Sequence, residues 1–234
     1  MKVGPALRRI GETALDAVLP PRCVGCGRFG SFLCDRCESG LIPAGPPRCE
    51  ICWQPVVHPP TCARCRTQRP AFEGLRAAYV FEGVARELVH ALKYRQQRAL
   101  AAPAAALLAR HLEKHPVPFD IVVPVPLHPH RERTRGYNQS ALIARGLARK
   151  LDVPVAEKAL VRQRNTRSQA ERPSAEERRA NVAGAFAYGG SPLAGRALLV
   201  DDVSTTGATL DSCARVLREN GAASVWALTF ARED

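Results

Sequence analysis

Two sets of residues in this sequence have the types and spacing to do chemistry. The first is Leu198-Leu199-Val200-Asp201-Asp202-Val203-Ser204-Thr205-Thr206-Gly207-Ala208-Thr209-Leu210. An aliphatic run leads into two adjacent carboxylates and then into a hydroxyl- and glycine-rich turn that opens a helix. Backbone N–H groups at a helix start, with the hydroxyls of Ser204, Thr205, Thr206 and Thr209, make a cradle for a phosphate dianion, and Gly207 lets the backbone approach it. Two carboxylates on the strand side suit two vicinal hydroxyls, which donate hydrogen bonds to acceptors spaced like a cis-diol. The residues thus select a sugar phosphate, with acids for the ribose and a turn for the phosphate. The plainer alternative is an ordinary strand–turn–helix junction with an N-cap threonine, and the joint occurrence of all the parts weighs against it.

The second set is cysteine. Eight of the nine cysteines form four C-x-x-C pairs: Cys23/Cys26, Cys34/Cys37, Cys49/Cys52 and Cys62/Cys65. Two intervening residues make a tight knuckle that aims both thiolates at one ion, so two knuckles complete the S₄ shell that Zn²⁺ prefers. Four knuckles predict two structural zinc ions. A disulfide framework would need a secretory signal, and a redox C-x-x-C would occur once beside a βαβ unit. Iron–sulfur ligation is a minor alternative. Sequential sites and an interleaved cross-brace both satisfy the count; sequential pairing is favoured because each site closes a short local loop. The ninth cysteine, Cys213, falls on an apolar helical stripe and reads as a small core residue.

These groups need elements to hold them. Leu7, Ile10, Ala14, Val18 and Leu19 recur at helical spacing up to Pro20-Pro21, predicting a short amphipathic helix over residues 1–22. Residues 23–70 are rich in Pro and Gly and too poor in aliphatics for a core of their own, so zinc must supply folding free energy. From residue 71 the pattern becomes α/β. Leu88, Val89 and Leu92, then Ala104, Leu107, Leu108 and Leu112, then Leu142, Ile143, Leu147 and Leu151 are helical spacings. Ile121 to Val125, Ala197 to Val200 and Val225 to Phe230 read as strands, and a helix through Leu210, Cys213, Ala214 and Leu217 ends at Asn220-Gly221. Strand, helix, strand predicts a parallel sheet with crossover helices over residues 71–234.

A chain of 234 residues, 46% apolar and 24% charged, excludes disordered and fibrous classes. No apolar run reaches the roughly 18–20 residues of a membrane span, and Glu12 and Asp16 interrupt any signal-like start, so a cytoplasmic protein is expected. The net charge of +12 points to an anionic partner. It is concentrated in residues 131–181, where thirteen basic groups face six acidic ones. Residues 163–181 contain nothing aliphatic or aromatic larger than Ala, which predicts a mobile loop.

The acidic pair followed by Thr206-Gly207-Ala208-Thr209 resembles the loop by which type I phosphoribosyltransferases bind 5-phosphoribosyl 1-pyrophosphate (PRPP). Val123-Pro124-Val125-Pro126-Leu127-His128, Arg135-Gly136-Tyr137-Asn138-Gln139 and Asn181-Val182-Ala183-Gly184-Ala185-Phe186, with the four cysteine pairs, make the chain similar to the ComF/GntX family. The resemblance implies a type I phosphoribosyltransferase-like parallel sheet with flanking helices, preceded by a double zinc ribbon. It implies that Asp201 and Asp202 orient the ribose and that Val203, Ser204, Thr205, Thr206, Gly207, Ala208 and Thr209 hold PRPP. Pyrophosphate would lie at Val125, Pro126, Leu127 and His128 with Arg131 and Arg135. Arg162, Arg164, Arg167 and Arg172 would close over it from a flexible loop, with Mg²⁺ carried by the substrate oxygens. The acceptor side is expected from Phe81 to Arg98, with Lys93 and Tyr94 as contributors. Three functions follow: transfer of phosphoribose to a base or other nitrogen acceptor; handling of single-stranded DNA with DNA-uptake proteins, as the family's association with competence implies; and non-catalytic sensing of PRPP or a nucleotide.

Overall fold

The computed structural model describes residues 20–164, 182, 184–190 and 192–234. Most of the helix expected over residues 1–22, and the loop arginines Arg167 and Arg172, lie outside the described residues. The cysteine-rich segment contains two single-turn helices, α1 (Asp35–Ser39) and α2 (Ala63–Thr67), each beginning directly after the first cysteine of a knuckle. After it come β1 (Gly74–Val80), α3 (Gly83–Tyr94), α4 (Ala101–Lys114), β2 (Ile121–Pro124), α5 (Pro129–Arg135) and α6 (Gln139–Leu151). The chain continues through β3 (Leu160–Arg162), β4 (Phe186–Tyr188), β5 (Gly195–Ser204), α7 (Ala208–Glu219) and β6 (Ala222–Arg232). No helix among the described residues is long and apolar enough to cross a membrane.

Strands β1, β6, β5 and β2 lie side by side in that order, all parallel, and β3 and β4 form a separate antiparallel pair. Strand alternation explains why β5 reads as unbroken aliphatic sequence: successive side chains face opposite sides, and both sides are covered. Leu198 and Val200 join Leu88, Leu108 and Leu147 of α3, α4 and α6 in one core. Ala197 and Leu199 join Leu210, Cys213 and Leu217 of α7 in the other. Full burial of each such aliphatic stabilises the fold by about 1.5–3 kcal/mol. Cys213 is wholly buried in that second core, as its place on the apolar stripe predicts.

The sequence reading missed β1, whose Gly74-Leu75-Arg76-Ala77-Ala78 carries little β-branched signal, and the three-residue strands β3 and β4. Gly74 is required where it stands, because a Cβ there would lie 2.4 Å from the Trp226 ring.

The cysteine-rich segment has no separate core. Ala44, Ile51 and Trp53 belong to the same apolar cluster as Phe72 and Leu75, while Leu41 joins the helix side. Its backbone also covers the outer edge of β1: Leu75 N–H donates to the Ile51 carbonyl (2.7 Å), Ala44 N–H to Ala78 (3.0 Å) and Val80 N–H to Ile42 (2.9 Å). An edge strand that would otherwise expose unpaired backbone is closed in this way. Arg48 adds a fork to the carboxylate of Asp234, at 2.5 and 2.7 Å.

Trp53 is 6% exposed and its indole N–H donates to Ala44 O at 2.9 Å, so its ring is a packing element. It meets the rings of His111 and His115 on α4 edge-on. The His111 imidazole is held down to about pKa 4, by burial first and then by the charges of His115, Arg76 and Lys114. A histidine depressed below its unfolded value of about 6.5 favours the folded state when neutral, so this contribution is present above pH 6.5 and is lost as pH falls toward 4. The full effect is about 3 kcal/mol. Thermal melts from pH 7 to 4.5 should therefore fall more steeply for the parent than for His111→Leu; equal slopes would remove His111 from the account.

Candidate functional site

In open α/β sheets ligands sit at the carboxyl ends of the strands; here β2 ends opposite Val200 and β5 runs on beyond it to Ser204. Asp201 and Asp202 do not follow the strand as the sequence suggested; they lie within it, since β5 pairs with β6 as far as Ser204. Alternation then gives the two carboxylates different surroundings. Asp201 accepts from the Ser140 hydroxyl at the start of α6 (2.7 Å) and from the Asp202 backbone N–H (2.9 Å). Asp202 is ion-paired to Lys93, near the end of α3, with Nζ to Oδ2 at 2.8 Å.

Burial raises the Asp201 carboxyl to about pKa 7, with the Asp202 charge as the second cause and Lys93 and Ser140 opposing. Burial pulls the Lys93 ammonium down, but Asp202 and Asp201 outweigh it and the net direction is upward. Asp202 is 2% exposed, and its Oδ2, although within ion-pair distance of Lys93, makes no hydrogen bond of good geometry among the described residues. That oxygen is buried against the Lys93 ammonium.

The turn beyond β5 carries Thr205, Thr206 and Gly207, and Gly207, at φ +79°, caps α7. Thr206 Oγ1 accepts from Ala208 N–H at 3.4 Å. The amides of Thr205, Thr206, Gly207, Thr209 and Leu210 donate to no acceptor among the described residues, as expected for a helix start that leaves its first N–H groups open. Thr205, Thr206 and Thr209 are half-buried at this rim, and Val203 leads into it. Ser204 is placed elsewhere: it is 3% exposed, and its hydroxyl accepts from buried Arg232 at 3.4 Å, turned away from the cradle.

The second loop, Val125 to His128, is tied to the first. Val125 N–H donates to Val200 O (2.9 Å), and Asn138 Nδ2 donates to Val125 O (2.9 Å). The amides of Leu127 and His128 have no acceptor among the described residues, while Pro126 contributes no donor. His128 caps α5, accepting from His130 N–H, and its imidazole is held below its ordinary value by desolvation and then by Arg162, His130, Arg131 and Arg133. Arg131 and Arg135 are half-buried on α5, with the Arg135 guanidinium donating to Gln139. Arg162 lies on β3 over the Phe186 ring at 5.3 Å, and Arg164 is exposed just beyond it. A cleft of about 1100 Å³ opens beside this loop and is lined by Pro126, Leu127, Asn138 and Arg162, but not by any of Asp201 to Thr209.

The structure therefore brings together the acidic pair, the threonine turn and the proline turn. Lys93, expected on the acceptor side, is placed against Asp202, and Tyr94 is 71% exposed. Sequence reasoning missed Ser140; the signal was Asn138-Gln139-Ser140, a helix start following the αL residue Gly136.

The thiols assemble sequentially, Cys23, Cys26, Cys34 and Cys37 in one group and Cys49, Cys52, Cys62 and Cys65 in the other, with all Sγ atoms of a group within 4.8 Å. Across the knuckles, Cys26 to Cys34 and Cys52 to Cys62 are each 3.7 Å. A tetrahedral ion with Zn–S bonds near 2.3 Å needs edges of about 3.8 Å, so both groups fit Zn²⁺.

Comparison with known proteins agrees with this geometry. A model of the double zinc ribbon domain matches residues 14–66, and a model of the phosphoribosyl transferase domain matches residues 138–233. The chain is 36% identical over 190 residues to the DNA utilization protein YhgH of Salmonella typhi, covering 77% of this chain and 82% of that one. It is 29% identical over 229 residues to competence protein F of Haemophilus influenzae, covering 87% and 99% respectively. To competence protein ComFC of Bacillus subtilis it is 28% identical over 208 residues, covering 86% and 84%.

Proposed function

The chain belongs to the ComF/GntX family, in which a double zinc ribbon is joined to a phosphoribosyl transferase domain, and from that premise we propose that it binds PRPP and transfers its phosphoribosyl group to a base or other nitrogen acceptor. The observation that carries the reading is the buried acidic pair at the end of β5, set directly before a turn whose amides are open. Asp202, held by the Lys93 ammonium through Oδ2, is the carboxylate offered to a ribose hydroxyl. Asp201, braced by Ser140, is the second acid of the pair. Thr205, Thr206 and Thr209, with the open amides, receive the 5′-phosphate. Leu127 and His128 offer backbone N–H groups to the pyrophosphate, and Arg131, Arg135 and Arg162 supply positive charge beside them.

Breaking the C1–O bond develops oxocarbenium character on the ribose and negative charge on the departing pyrophosphate. The acids damp the first and the basic groups stabilise the second, while fixed sugar and phosphate contacts hold C1 toward the acceptor. Mg²⁺, when bound with PRPP, would neutralise pyrophosphate charge, and the hard carboxylate oxygens of Asp201 and Asp202 fit it as nearby partners. None of these residues acts as a nucleophile.

Calorimetry should show Mg²⁺-dependent PRPP binding, and a pyrophosphate-release screen should find turnover with at least one nitrogen acceptor. No binding of PRPP in the presence of Mg²⁺ overturns the reading, and binding without turnover for any acceptor leaves a PRPP sensor. A second reading, handling of single-stranded DNA, is supported by the relatives' names and by the basic surface of α5. It requires an affinity that falls steeply with salt.

A further inference from the structure

The zinc ribbon and the phosphate turn share a pocket. A polar pocket of about 240 Å³ is lined by Thr206, Gly207 and Ala208 of the turn, by Arg64 of the ribbon, and by Arg69 and Arg215. One carboxylate, Asp211, also lines it, leaving three guanidinium groups against one acid. Asp211 is itself engaged, accepting from Ala71 N–H at 2.6 Å and lying 3.5 Å from Arg215. Arg69 has Glu73 at 3.9 Å, a carboxylate that also serves Arg218 at 2.8 Å. Arg64 is different: it is half-buried, yet its side chain makes no hydrogen bond or ion pair among the described residues.

A guanidinium that has given up part of its hydration without a hydrogen-bonding partner, and shares a pocket with the Thr206 and Gly207 amides, which also lack one, is a binding site for an anion with several acceptor oxygens. Within the ribbon the Arg64 charge acts on the Cys52 thiol. Arg64 is also held in place. It is the third residue of the knuckle Cys62-Ala63-Arg64-Cys65, so both flanking thiols belong to the second cysteine tetrad, and Cys65 is 3% exposed in the main core. We propose that Arg64 is a phosphate-binding residue, through which the ribbon supplies the side-chain cation for a phosphate monoester on ribose C5 held at the Thr206–Ala208 turn. This rests on the sugar-phosphate reading of that turn and deepens it, because it makes the ribbon part of the ligand site as well as a cover for β1.

The test is calorimetry on the zinc-loaded full chain with ribose 5-phosphate, with PRPP and Mg²⁺, and with inorganic pyrophosphate. Arg64→Ala should weaken ribose 5-phosphate and PRPP by about tenfold and leave pyrophosphate unchanged, since a charge-assisted contact is lost at one end of the ligand only. Arg64→Lys should recover part of the loss, and Arg64→Glu should weaken binding further. Arg66→Ala, an exposed neighbour on α2 outside the pocket lining, should bind all three like the parent. Zinc content of two per chain and an unchanged melt establish that each variant is folded. A preference for a 5′-phosphorylated over a 5′-hydroxyl oligonucleotide, abolished by Arg64→Ala, would place the phosphate on a nucleic-acid end. Equal binding of the two oligonucleotides would place it on the free sugar phosphate. If the parent binds PRPP and ribose 5-phosphate and Arg64→Ala binds them equally well, the Arg64 assignment falls alone. If the parent binds neither, the sugar-phosphate reading falls with it.

Discussion

Asp202→Ala should lower PRPP affinity by about a hundredfold and destabilise the chain by about 2–3 kcal/mol, and the two losses should have separable causes. The affinity loss comes from removing a buried acceptor for a ribose hydroxyl. The stability loss comes from Lys93, whose side chain is 23% exposed and would be left as a cation without its carboxylate 2.8 Å away. Adding Lys93→Met to Asp202→Ala should restore most of the stability and none of the affinity, because the orphaned charge is gone but the acceptor is still missing. A double variant that recovers PRPP binding would show that Asp202 serves only to neutralise Lys93. Asp201 gives a second readout. Its carboxyl, raised to about pKa 7 by burial and then by Asp202, is held above its unfolded value. Stability from this group is therefore greatest below about pH 4 and is lost as pH rises toward 7. Removing the Asp202 charge should move this titration to lower pH, measurable as a shift in the pH dependence of the melt.

What could be read from the sequence was what is local in the chain. Four C-x-x-C knuckles place their own thiols, and the structure groups them sequentially as loop length favoured. The strand, acidic pair, threonine turn and helix of Leu198 to Leu210 are contiguous, so residue types alone outline the ligand class. The contacts that complete the site are not contiguous. Lys93 reaches Asp202 from α3, Ser140 reaches Asp201 from α6, and Arg64 of the ribbon lines one pocket with the turn. Each depends on tertiary packing that no periodicity encodes. Ser204 shows the opposite error, since its residue type suits a phosphate cradle. Once β5 is seen to run to Ser204, the position pairs with Arg232 in the sheet and the hydroxyl turns inward. Ending the strand at Val200, where the aliphatics stop, hid both this and the differing surroundings of the two carboxylates. The ribbon's poverty in aliphatics was legible, but its solution was not. It borrows the main core and closes the β1 edge, which makes it inseparable from the sheet.

That dependence sets the largest expected effect on stability. Cys52→Ser should reduce bound zinc from two ions per chain to one and lower the melting temperature by about 10–15 °C, corresponding to about 3–5 kcal/mol in a chain of this size. Cys49 and Cys52 are fully buried in the cluster that contains Trp53, Phe72 and Leu75, so releasing this ion loosens the packing under β1 together with the backbone bonds from Ile51 and Ala44. Cys26→Ser should also cost one zinc ion, but Cys26 is exposed and its tetrad meets the core mainly through Val24 and Leu33, so the melt should fall by much less. Metal analysis and thermal melts on the two variants decide the matter. Retention of two zinc ions by Cys52→Ser would break the tetrad assignment, and equal melts would mean that the second site is not part of the core. The same variant bears on the ligand site, because Arg64 sits between Cys62 and Cys65. Loss of the second ion should weaken ribose 5-phosphate about as much as Arg64→Ala does, while Cys26→Ser should leave that affinity intact. A ribbon that only covered the sheet edge would lose stability in both variants and change phosphate affinity in neither.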